Sequence, residues 1–192
     1  MLFFISPPFG NYVNLPYTIP IKGSYTLNPR IGLLSQICKT LRYSSHYGGW
    51  VNKIGLRNLG IDYAIKHYNN NHIVSIAIMK QDEIYKFLNK IPDEMNLEIN
   101  VSCPNTEHKL INKNIHLFLN PLRKWCIVKL SPLIDHKLID EYYQQGFRQF
   151  NCGNTLPVKE GGLSGKQLIP YHSKNISYIK KKYPDSIIIG TG

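Results

Sequence analysis

No two cysteines in this chain stand in a C-x-x-C spacing, which removes the zinc-knuckle and dithiol-redox templates at once. The four that are present, Cys38, Cys103, Cys126 and Cys152, lie far apart. They match no other metal-ligand spacing, so no metal is expected. Thiols used in this way belong to a reducing compartment. Acidic residues are also scarce: 12 Asp and Glu against 23 Lys and Arg give a formal net charge of +11 over 192 residues. That balance suits anionic partners, from nucleic acid to small anions. The basic residues are nevertheless scattered. The one tight run, Lys180-Lys181-Lys182, reads as a solvated helix end, and arginine-rich stripes with interleaved aromatics are absent. Nucleic acid is therefore not expected as a partner. No stretch approaches the roughly 20 apolar residues of a membrane span. The opening MLFFIS is short, lacks a positive flank and is broken by Pro7-Pro8, which is not a signal sequence. A cytoplasmic protein without membrane attachment is expected. No repeat or low-complexity linker divides the chain, so residues 1–192 are expected to form a single domain.

What is there is a series of short apolar runs separated by amphipathic stretches. Seven runs read as strands: Leu2–Ser6, Thr18–Lys22, Ile73–Met79, Asn96–Ser102, Trp125–Leu130, Phe147–Cys152 and Ser186–Gly190. Gln81–Ile91, Ile134–Gln145 and Tyr171–Tyr183 read as helices. Asp135 suits the start of the second and Gly146 its end. Asn69-Asn70-Asn71 reads as a loop. Strands alternating with helices predict βαβ units and a parallel sheet. Lys22, Asn100, Cys103, Asn105, Lys129, Asn154 and Gly190 to Gly192 all fall at the C-terminal ends of different strands. A barrel gathers such ends at one mouth, whereas an open sheet spreads them along a line. The pattern therefore predicts a (β/α)8 TIM barrel, with seven strands visible and the eighth missing. The link Phe9–Tyr17 is too short for an ordinary crossover helix.

Cys103 sits in EINVSCPNT, where Pro104 ends the strand and Asn100 and Asn105 flank the thiol. Its position alone leaves open a metal ligand, a nucleophile, a proton-transfer group or filler. Cys38, Cys126 and Cys152 read as small buried hydrophobes.

Taken in order, IKGSYTL around Lys22, VNKIGLRNLG from Val51, EINVSCPNT, VKLSP, CGNTLP, EGGLSGKQLIP and IIIGTG resemble the dihydroorotate dehydrogenase family. No single motif is decisive; the ordered set covers nearly the whole chain. The resemblance implies an FMN-containing barrel that oxidises dihydroorotate to orotate in de novo pyrimidine biosynthesis. It implies Cys103 as general base and Lys22 beside the flavin and substrate. It implies substrate contacts from Lys22, Asn52, Ile54, Gly55, Leu56, Asn100, Asn105, Asn154 and Thr155. It further implies cofactor contacts from Gly10, Lys22, Gly23, Asn100, Lys129, Gly153, Gly165 and Gly192.

Cysteine at the base position is similar to the soluble class of the family. The terminal GTG resembles a phosphate loop cut after its third residue. The chain is thus read as a member truncated after strand seven, with sheet edges that favour a homodimer. The alternative is a non-catalytic relative that binds a ligand or partner.

Overall fold

The computed structural model describes residues 2–101 and 114–190. All seven expected strands are present, each at its expected place. They are β1 (Phe3–Ile5), β2 (Thr18–Tyr25), β5 (Ile73–Ala77), β6 (Leu97–Asn100), β7 (Cys126–Lys129), β8 (Gln149–Asn151) and β11 (Ile187–Ile189). They pair in parallel in the order β1-β2-β5-β6-β7-β8-β11. This is the strand sequence of a TIM barrel with seven of its eight strands. Every residue of β5, β6 and β7 is buried, because a barrel strand is covered on both faces.

Five helices are described: α1 (Leu33–Thr40), α2 (Ile61–Lys66), α3 (Glu83–Leu88), α4 (His136–Gln144) and α5 (Ile169–Lys182). The start of α4 is fixed by Asp135, whose carboxylate accepts the amide of Lys137 at 3.0 Å. Gly146, with φ of +107°, lies just past its end, where a left-handed backbone suits glycine. Three lysines close α5, a favourable sign at a helix C-terminus. The sequence reading missed α1 and α2. The first is eight residues long with no buried residue and the second is six residues long, both shorter than the window over which a helical period is read.

Strand alternation divides the core in two. Val74, Ile76, Leu97, Ile99, Val128 and Phe150 point outward, against α2 to α5. Ile21, Ile73, Ile127 and Ile189 point inward with Trp125 and close the barrel interior. One irregularity changes this alternation. β2 spends three residues, Lys22 to Tyr25, where β5 spends two, Val74 to Ile76. The bulge lets Ile21 and Ser24 both face inward, while Lys22 and Tyr25 face outward.

A second sheet was not foreseen. β3 (Arg42–Ser44), β4 (Gly49–Asn52), β9 (Leu156–Val158) and β10 (Gly161–Ser164) pair antiparallel in the order β3-β4-β10-β9. It joins the segment after β2 to the segment after β8. Its strands are three or four residues long and rich in glycine, and carry no apolar alternation to read.

Cys126 and Cys152 are buried, as expected. Cys38 is exposed, which corrects the expectation for it: α1 buries none of its residues, so no core is available to that thiol.

Candidate active site

The inward face of the strands changes character toward their C-terminal ends. Glu98 of β6 is fully buried, an expensive place for a carboxylate unless its oxygens are occupied. Ser75 of β5 donates to its Oε1 at 2.8 Å and Asn151 of β8 donates to its Oε2 at 2.6 Å. Lys129 of β7, also buried, brings its ammonium to 3.6 Å from Oε1. Sequence reasoning missed Glu98. A glutamate inside a strand usually marks a solvent face. Its signal was that the flanking residues Leu97 and Ile99 already fill the outer face, so position 98 points inward.

A chain of hydrogen bonds rises from this carboxylate to the mouth. Asn154 Nδ2 donates to Asn100 Oδ1 at 3.2 Å, and Asn100 Nδ2 donates to Ser24 Oγ at 3.2 Å. Ser24 and Ser75 hydroxyls meet at 2.8 Å. Since the Ser75 hydrogen goes to Glu98, Ser24 must be the donor in that contact. Every donor in the relay therefore points toward Glu98. Lys129 makes the ion pair and no hydrogen bond within 3.5 Å among the described residues. A nearly buried ammonium in that condition still has donors to offer at the mouth.

The antiparallel sheet brings Asn52 and Thr155 to the same region. Asn52 Nδ2 reaches the Gly162 carbonyl at 3.4 Å, and the amide of Thr155 donates to Asn154 Oδ1 at 2.9 Å. A Cβ on Gly162 would stand 2.7 Å from Thr155 Oγ1, so only glycine permits that approach. Ile54, Gly55 and Leu56 form the next turn. Gly55 and Leu56 both take positive φ, +68° and +54°. Asn52 Oδ1 accepts the Ile54 amide at 3.3 Å, and Asn58 Nδ2 donates to the Leu56 carbonyl at 2.7 Å. These two bonds hold an otherwise unfavourable backbone.

Gly10 and Gly23 are joined through Asn11, whose amide both accepts from Gly23 N at 2.8 Å and donates to Gly23 O at 3.1 Å. A Cβ on Gly10 would strike the Ile21 carbonyl, and one on Gly23 the Ser75 carbonyl. Gly153 is buried immediately before Asn154. Gly165 stands apart at the end of β10, beside Gly49 and Gln167. Lys22 is not brought to this group. It pairs with Val74 ahead of the β2 bulge and so faces outward, where it lines a cavity with Tyr63, His72 and Val74. Cys103, Asn105 and Gly192 lie outside the described residues.

The two buried thiols differ from what a base requires. Burial pushes Cys126 and Cys152 up to about 12, so both stay protonated at neutral pH. Chemically, the site offers one ammonium, carboxamide donors and acceptors, and hydroxyls, converging at the strand tips. That donor set fits the carbonyl and ring-nitrogen edge of a flavin, and Lys129 with Asn100 would hold it. It equally fits the imide edges of a pyrimidine-dione.

The sequence model of the family described as dihydroorotate dehydrogenase matches residues 17–192. The catalytic subunit of dihydroorotate dehydrogenase B (NAD(+)) of Geobacter metallireducens is 36% identical over 145 residues, 65% of this chain and 46% of that protein. Dihydroorotate dehydrogenase (fumarate) of Saccharomyces cerevisiae is 28% identical over 193 residues, 79% of this chain and 62% of that protein. A putative dihydroorotate dehydrogenase A (fumarate) of Streptococcus agalactiae is 25% identical, covering 79% of this chain and 61% of its own length. The chain thus spans about half to three-fifths of the length of these curated relatives.

Proposed function

Because the chain belongs to the dihydroorotate dehydrogenase family, we propose that it oxidises dihydroorotate to orotate with FMN, in pyrimidine biosynthesis. The observation that carries this reading is the Lys129 ammonium, buried beside Glu98 under the Asn100–Asn154 amide pair. Desaturating the substrate removes a proton alpha to a carbonyl and a hydride from the adjacent carbon. FMN supplies the hydride acceptor when bound. The proton goes to the sulfur of Cys103, which follows Asn100 by three residues and acts as general base. Asn52, Asn100, Asn105, Asn154 and Thr155 orient the pyrimidine-dione edges. Lys129 provides fixed positive charge where negative charge develops on reduction. Glu98 is a positioning residue: its carboxylate anchors the ammonium and is itself locked by Ser75 and Asn151.

The test is a visible absorbance spectrum after mixing with FMN and desalting. A retained flavin band, bleached anaerobically by dihydroorotate, supports the reading. Cys103→Ala is expected to retain the band and lose the bleaching. Normal bleaching by that variant overturns the base assignment. No retained flavin overturns the enzyme reading in favour of a non-catalytic, ligand-binding member.

A further inference from the structure

The outer face of β2 carries a second concave site, unrelated to the relay above. In a βαβ unit a crossover helix covers the outer face of the strands it joins. Between β1 and β2 the chain makes only a 3-10 turn at Phe9–Asn11. Beside that turn, on the outer face of β2, there is a cavity of about 520 Å³, inside the roughly 300–1,000 Å³ range of small-molecule sites. Tyr12, Leu34, Tyr63, Ala64 and Val74 give it mainly apolar walls.

Its charges are of one sign. Lys22, Arg30 and Arg57 line it, and no Asp or Glu does. Among the described residues none of the three pairs with a carboxylate. Arg30 Nε donates to the Gly55 carbonyl at 3.1 Å and Arg57 Nη1 to the Ile31 carbonyl at 3.2 Å. These bonds brace the walls but bring no negative charge. Arg57 Nε is buried without a partner. Three uncompensated cations beside low-dielectric walls create a positive potential that a neutral occupant leaves in place. A polyanion would press most of its charge against apolar surface.

We infer that this cavity binds a small amphipathic carboxylate, with its apolar body among the tyrosines and aliphatic side chains and its head group on Lys22 and Arg57. The site lies across β2 from Ser24 and does not depend on flavin binding.

The experiment is ligand-observed NMR titration of the full chain with octanoate and with octan-1-ol, its uncharged counterpart, at low salt. Octanoate is expected to saturate one site, with the alcohol at least tenfold weaker. Lys22→Met should shrink that preference to below threefold. Leu34→Glu places a carboxylate at an exposed rim position, 78% accessible, where folding is not at stake. It should weaken octanoate at least tenfold and the alcohol less than threefold. Should Lys22→Met fail to fold, Leu34→Glu decides. Equal affinity for acid and alcohol, no saturable octanoate binding, indifference to Leu34→Glu, or displacement of octanoate by FMN would each overturn the inference.

Discussion

Inside the barrel the same strands build two layers of opposite chemistry: Ile21, Ile73 and Ile127 nearer their N-terminal ends, Ser24, Ser75 and Lys129 a step further along. On β5 and β7 the change takes two residues, the period that returns a side chain to the same face. The apolar layer needs only volume and shape. The polar layer depends on matched charges and hydrogen bonds, since a buried polar group that loses its partner keeps its desolvation cost. One layer is tolerant and supports the fold, while the other is exacting and carries the chemistry. The comparison says where substitutions are punished and by what mechanism.

The largest effect is expected from breaking the polar layer. Glu98→Leu strands the Lys129 ammonium in the interior and should cost about 3–5 kcal/mol in urea unfolding. Adding Lys129→Met removes the stranded charge and should recover most of that loss, since an apolar pair can replace a buried ion pair. A double variant as unstable as Glu98→Leu alone would mean that the cost is cavity and shape, as in the layer below. In that lower layer Ile127→Ala should cost about 3 kcal/mol through lost burial and cavity formation. It should leave the flavin affinity of the folded protein unchanged.

Outside the barrel, acid should act through His72, which burial first, and the nearby charge of Lys22 second, lower to about 4. The native state favours its neutral form, so the unfolded chain binds more protons between pH 6.5 and 4. The His72 contribution is complete above pH 6.5 and is lost as pH falls toward 4, about 3 kcal/mol in all. His72→Gln should flatten that part of the stability curve, read by comparing unfolding midpoints at pH 7 and pH 4. The smallest effect is a surface control: Asp135→Ala removes the α4 cap and should cost about 1 kcal/mol without touching either layer.

Much of the barrel was legible. IVSIA, WCIVKL and SIIIG announce strands by their concentration of β-branched residues. Asn100, Lys129 and Asn154 could be placed at strand tips, and the structure brings them together. Glu98 was missed: Leu97 and Ile99 turn it away from the helices, but only the closed barrel makes that other face an interior and not a water-facing one. The antiparallel sheet was invisible for another reason: its strands are short, half-exposed and paired across more than a hundred residues, as Val51 is with Leu163. Cys38 looked like core filler until α1 proved to have no core to join.

By itself the sequence determined the kind of element, the order of the seven parallel strands and the family. The elements follow from local composition and period, the strand order from the polar residues at the strand ends, and the family from the ordered motifs that resemble it. Which face a residue serves was decided only by tertiary structure. Lys22, ahead of the β2 bulge, keeps the outward register of Val74 and meets a cavity, while one extra residue after it turns Ser24 inward to the relay. Strand side chains alternate with a period of two, so a single-residue bulge reverses every assignment on one side of it. The bulge becomes visible only when β2 is laid against β5.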